Sequence, residues 1–157
     1  MLSTELAALF ARDLERLMQE LTAFPNSASL WQTAPGVTNT AGTLALHLEG
    51  NLREYIGRQL GGIEYARDRP LEFGKRGVEQ QELVARIEGV RGTIPRVIEA
   101  LSEQQLAAIY PEQVLSVPIT TRQFLIHLSG HLNYHLGQID YLRRITTGDG
   151  AINLVSL

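Results

Sequence analysis

The chain has 157 residues, 44% of them hydrophobic and 20% charged, with a formal net charge of -3 and no cysteine. That length suits one domain with one sizeable core, and the balance excludes a largely disordered or collagen-like chain. The slight acidity and the absence of any basic cluster interleaved with aromatics argue against nucleic-acid binding. Without cysteine there are no disulfides, thiolate metal sites or protein-borne sulfur nucleophiles, so any thiol chemistry needs a thiol supplied by the substrate.

The opening "MLSTELAALFARDLERL" carries acids early and lacks the basic then apolar layout of a signal peptide. No window approaches the 18 or more apolar residues of a membrane span, and the expected location is the cytoplasm. Leu6, Leu9, Phe10, Leu14, Leu17, Met18 and Leu21 recur at three-and-four spacing, which predicts a first helix capped by Ser3 or Thr4 and ended by Phe24-Pro25. A polar loop follows. Asn39 or Thr40 opens a second helix that runs to about Gln59 and stops at Gly61-Gly62, with its apolar stripe on Leu44, Leu48, Leu52 and Tyr55.

Residues 63 to 77, "IEYARDRPLEFGKRG", read as a connection over the surface. A third helix spans roughly Val78 to Leu101, and Pro95 inside it is expected to kink or split it. Ser102 begins a short helical turn, and "IYPEQVLSVPITT" is an extended linker with room for an edge strand. Thr120 and Gln123 form a capping box for the last helix, which runs to about Thr147 and closes at Gly148. The apolar tail from Ala151 to Leu157 is expected to pack on a neighbour or fray. Four long amphipathic helices predict an all-α four-helix bundle over residues 1–157 with a long connection before the last helix, an architecture that builds metal sites from facing helices.

Three of the four histidines lie in "HLSGHLNYHLGQ", at His127, His131 and His135. Residues four apart lie about 40° apart around a helix and roughly 6 Å apart along it, so two imidazoles can share one ion, whereas His127 and His135 are about 12 Å apart along the axis. One of the three is surplus. With His131 at 0°, Phe124 falls near roughly 20°, Leu128 near 60°, Ile139 near 80° and Leu142 near 20°, which centres the core face at about 45°. His135 is then central, His131 inside, and His127 on the shoulder. The pair needs partners when buried, and His47 is the remaining histidine that can complete it. Three imidazoles would leave coordination positions open, as in catalytic rather than structural sites. Imidazole ligands suit zinc, nickel, copper and iron alike.

The paired segments "LWQTAPGVTNTAGTLALHLEGNLREYIGRQLGG" and "HLNYHLGQI" resemble the DinB/YfiT-like superfamily, whose last helix carries H-x-x-x-H with Gly-Gln close behind. The resemblance places the metal ligands on His47, His131 and His135, the trio that geometry selects, and implies a homodimer of four-helix bundles holding a divalent ion such as zinc or nickel. Some members resembling this chain are thiol S-transferases or isomerases that use bacillithiol, mycothiol or glutathione. The expectation is therefore a metal-dependent enzyme activating a low-molecular-weight thiol or water, the alternative being a non-catalytic metal or small-ligand binding protein. Relatives often carry a basic or histidine residue directly after the second ligand of the pair, where this chain has Leu136.

Asn51, one turn after His47, is a candidate to orient a ligand, and Gln138 a candidate to hold a histidine from behind. Tyr55, Tyr134 and Glu54 are weaker acid or base candidates, Trp31 reads as a core lid, and Arg53 and Arg58 as a solvated face. No phosphate-binding glycine loop, G-x-S-x-G elbow or H-E-x-x-H motif is present.

Overall fold

In the computed structural model, which describes residues 1–114 and 116–153, the chain is built from helices. These are α1 (Leu2–Thr22), α2 (Ala41–Leu52), α3 (Gln59–Gly61), α4 (Arg69–Gly74), α5 (Gln80–Glu99), α6 (Glu103–Ala107) and α7 (Thr121–Thr147). A 3-10 turn covers Ser27–Trp31, and a π-helical stretch, Arg53–Arg58, joins α2 to α3. No strand forms among the described residues, and the expected edge strand reduces to one antiparallel bridge between Ile109 and Thr120. The prolines at 111 and 118 leave too few ladder donors for more. Leu115 of that linker and residues 154–157 of the apolar tail lie outside the described residues.

The apolar stripe of α1 is buried against α5 and α7, with Phe10, Leu14, Leu17 and Leu21 fully enclosed. The helix starts before the expected caps: Glu5 N donates to Met1 O, and Ser3 is buried inside the first turn. The polar loop after α1 is also more ordered than its composition suggests. Asn26 accepts from Ser29 N at 3.0 Å to start the 3-10 turn, and Trp31 Nε1 donates to Val78 O at 3.0 Å. Trp31 thus pins this turn to the chain two residues ahead of α5.

Helix α5 runs unbroken through Pro95 instead of splitting there. A proline in a helix interior costs about 3 kcal/mol. Here Leu83, Ile87, Val90, Ile94 and Ile98 bury one continuous face, at about 1.5–3 kcal/mol for each large side chain, and breaking the helix would forfeit part of that face. Helix α6 has a full capping box at Ser102 and Gln105, and α7 has one at Thr120 and Gln123. In the latter Gln123 N donates to Thr120 Oγ1 at 3.2 Å and Thr120 N to Gln123 Oε1 at 2.9 Å.

The largest departure from amphipathic expectation is α2. All twelve of its residues are buried, because α5 and α7 pack on one side and α4 crosses the other. The segment 63 to 77 is therefore no plain surface connection. Asp68 caps α4 by accepting from Leu71 N at 2.9 Å, and Glu72 turns inward to a buried position on α2. Gly50 makes that approach possible, since a Cβ there would overlap Glu72 Oε1. No helix among the described residues is long and apolar enough to cross a membrane.

Candidate metal centre

His47 on α2 and His131 and His135 on α7 come together, their facing ring nitrogens all within 4.8 Å of one another. His131 Nε2 is 3.2 Å from His47 Nε2 and 3.1 Å from His135 Nε2. Tetrahedral ligands about 2.0–2.1 Å from zinc stand about 3.3–3.4 Å apart, so the spacing is that of a ligand set. The three rings meet nearly edge to face, at 78° and 89°.

The opposite side of each ring decides where the protons are. His47 Nδ1 lies 3.1 Å from Glu72 Oε2, and Glu72 also accepts from Arg67 Nε at 2.7 Å and Arg67 Nη2 at 2.9 Å. Burial alone would raise the Glu72 carboxyl, but the hydrogen bonds from His47 and Arg67 outweigh it and hold it below the usual carboxylate range. Glu72 is then an acceptor only, so His47 must donate from Nδ1. His135 Nδ1 likewise donates to Gln138 Oε1 at 2.6 Å. In neutral His47 and His135, both Nε2 atoms are then bare lone pairs, and His131 Nε2 can offer a proton to only one of them. Such a convergence is repulsive unless a cation fills it. Burial, reinforced by His135 and His47, pushes His131 down to about 4, and burial with the His47 charge lowers His135 against the opposing Gln138 bond. Both shifts favour the neutral ring at His131 and His135, the form that binds a metal.

The pair sits off the centre of the α7 core face, not in it. Leu125, Leu132 and Leu136 are buried too, at about 120°, 100° and 140° on the same scale, which moves the centre to about 80°. His131 and His135 are half-buried on its flank, at the seam with α2, while His47 is only 7% exposed. A seam position gives the triad an outlet. A cleft of about 230 Å³ opens beside it, lined among others by His47, His131, Asn51, Tyr55 and His127. His127, outside the triad, stacks on Phe124 with ring centroids 5.9 Å apart.

Other candidates separate cleanly. Asn51 is 7% exposed, and its Oδ1 has no protein partner among the described residues. Glu54 is buried and bound by Arg58 Nε at 2.9 Å, with the Arg58 bond holding its carboxyl low despite burial. Arg53 pairs with Glu49 at 3.0 Å, and Tyr134 is 65% exposed. Trp31 is tied to Val78, remote in role from the triad. Sequence reasoning missed Glu72 and Arg67. Asp68 followed by Pro70 is a helix-start signal that would have found α4, and a glycine at position 50 inside a helix signals a close neighbour.

The profile of the DinB superfamily matches residues 9–139, and the chain belongs to that superfamily. A conserved protein of Enterococcus faecalis has a similar structure, with a TM-score of 0.75 at 19% identity over 92% of this chain and 96% of its own. A DinB-like protein from Bacillus cereus ATCC 10987 gives 0.68 at 18% identity over 90% of this chain and 89% of its own. At such identities the likeness speaks for the fold. Among curated proteins no sequence matches the chain.

Proposed function

We propose that this chain is a one-domain, DinB-like four-helix bundle, with a long connection before its last helix, that works as a divalent-metal-dependent enzyme on a small-molecule substrate. His47, His131 and His135 are its ligands, zinc or nickel its ion, and a low-molecular-weight thiol the group it activates. A homodimer in the cytoplasm is the setting we expect. The observation that carries the reading is the convergence of three Nε2 atoms, with the His47 ring fixed from behind by Glu72 and the His135 ring by Gln138. An all-nitrogen donor set with an open side suits a borderline ion that keeps exchangeable positions. When bound, such an ion lowers the pKa of a coordinated thiol or water.

The protein's own groups favour the thiol. No carboxylate is among the residues lining the cleft, and the buried Glu72 and Glu54 are each held by an arginine. A thiol starts from a pKa of about 8.5 against 15.7 for water, so on such an ion it would release its proton to bulk solvent without a protein base, whereas a water would gain far more from one.

Elemental analysis of untagged protein beside a His131→Ala/His135→Ala variant tests the site. The expected result is about one divalent ion per chain in the parent and none in the variant. Thiols are then paired with electrophiles on the loaded protein. Turnover abolished in the variant supports the enzyme, and tight metal without turnover across the panel replaces it with a binding protein. If neither protein holds metal, the reading falls.

A further inference from the structure

The outer face of α7 lacks what a solvated helix face carries. Residues 123–139 contain no Asp, Glu, Lys or Arg, whereas the exposed side of α5 presents Glu82, Glu88, Arg96 and Glu99. On α7 four large side chains, Ile126, Tyr134, Tyr141 and Ile145, are each more than half exposed instead, and Gly130 and Gly137 lie open among them. With His131 at 0°, the six fall between about −140° and −40°, opposite the core face centred at about 80°. They form one stripe along about five turns. A glycine inside a helix is unfavourable against alanine. At Gly42 and Gly50 the missing Cβ admits Trp31 and Glu72, but a Cβ at Gly130 or Gly137 would meet nothing within 4 Å. The space these two glycines keep is open to a neighbour outside the chain.

The order of residues along the stripe identifies that neighbour. In chain order it reads Ile, Gly, Tyr, Gly, Tyr, Ile. Laid antiparallel on itself about a two-fold axis between positions 135 and 136, it sets Ile126 opposite Ile145 of the other copy, Gly130 opposite Tyr141, and Tyr134 opposite Gly137. We propose that α7 is a self-pairing surface, on which two copies of this chain pack their stripes antiparallel, each tyrosine ring seated over a glycine of the other. A two-fold contact demands this kind of self-complementarity, and an unrelated partner does not. Charge agrees at the ends. Arg122 and Asp149 are exposed and have no ion pair among the described residues, and the same axis brings the Arg122 end of one copy to the Asp149 end of the other. The four large side chains bury about 100 Å² each, or about 800 Å² over both copies. The segment 36–39, which shares a groove of about 380 Å³ with Tyr141 and Ile145, extends the contact toward the roughly 1,200 Å² at which stable interfaces begin. Tyr134 already meets the His135 ring edge to face, with centroids 5.3 Å apart, so the pairing covers the outer side of that ligand. The proposal gives the homodimer expected above its surface, and rests on that reading only for the number of chains.

Sedimentation equilibrium of the untagged full chain tests it, with a dissociation constant expected on the order of micromolar. Gly130→Leu/Gly137→Leu fills both seats with a better helix former, so the monomer should melt no lower while the dissociation constant rises at least about tenfold. Two compensating pairs read the register. Adding Tyr141→Ala to Gly130→Leu should recover affinity, because the added side chain then faces a small one. Arg122→Asp should weaken the dimer and Arg122→Asp/Asp149→Arg restore it, both effects fading with salt. A chain that stays monomeric at about 200 µM, far above a micromolar constant, overturns this proposal and the expected homodimer together. A dimer indifferent to Gly130→Leu/Gly137→Leu overturns the α7 surface and leaves the homodimer to another face. A dimer weakened by the glycine variants but rescued by neither pair overturns the antiparallel register. Zinc content of the same samples should be equal in parent and variants, so a failure of the metal reading is seen separately.

Discussion

Two buried carboxylates, Glu72 and Glu20, each face an arginine, and the protein treats them in opposite ways. Glu72 accepts from Arg67 and from His47, and its carboxyl is held below the usual range although burial works against this. Glu20 is fully buried against Arg143, which is 1% exposed, with 2.7 Å between Glu20 Oε2 and Arg143 Nε. Its other oxygen has no partner among the described residues, so burial outweighs the arginine and raises its carboxyl. Arg143 is satisfied elsewhere, reaching Gly150 O at 3.1 Å and Asp140 at 3.5 Å. A carboxylate with both oxygens engaged is a fixed negative charge that can orient an imidazole; one with an unpartnered oxygen is a tie between α1 and α7 that costs desolvation.

The comparison breaks most visibly on the structural side. Arg143→Met leaves Glu20 buried without its cation and should cost about 3–5 kcal/mol, a fall in melting temperature on the order of 10 °C for a chain of this size. Metal content should not change. Adding Glu20→Leu should restore most of the loss, because the pair together is worth little against well-packed apolar side chains. A double variant as unstable as the single one would mean that the pair contributes net stability of its own.

On the site side the sizes invert. Glu72→Gln should weaken metal binding about 10–100-fold while moving the melting temperature much less than Arg143→Met, as expected for a partner that orients a ligand from behind. A chelator competition series reads this directly. Unchanged affinity would show that His47 holds its orientation without Glu72. Gly50→Ala acts on the same contact from the other side by pushing against the Glu72 carboxylate, and should weaken metal by less than Glu72→Gln because the carboxylate can shift and retain part of its bond.

The same contrast explains what could be read from the chain. The pair His131 and His135 is a local signal, since four-residue spacing fixes their relation whatever the rest does. Four periodic helices and their caps at Thr40, Thr120 and Gly148 are local signals as well. Glu72 was hidden because polarity along 63 to 77 describes composition, whereas its burial comes from a contact 25 residues away with His47. Helix α2 misled for the matching reason. Its sequence has a stripe, but α4 covers the face opposite, and no periodicity within one helix reports a cover supplied by another. The core face of α7 was misplaced by about 35° because only some of its buried leucines entered the average.

Acidification gives the sharpest sign test, on metal-stripped protein. His131 is lowered to about 4 from an ordinary 6.5, mainly by burial, so below pH 6.5 the unfolded chain takes up a proton that the native site refuses. Stability from this group is present above 6.5 and is lost as pH falls toward 4. His135, lowered in the same direction, adds to the loss. Glu20 works the other way: its raised carboxyl takes a proton in the native state before the unfolded chain does, which stabilises the fold as pH falls. Glu72, held low, contributes above its ordinary value and loses that contribution only at the acid end. Melting temperatures followed from pH 7 to 4 should therefore decline, less steeply in His131→Gln and more steeply in Glu20→Gln. Parallel curves for all three proteins would mean that neither group's protonation is coupled to folding, and that the two buried clusters do not differ in the way their contacts imply.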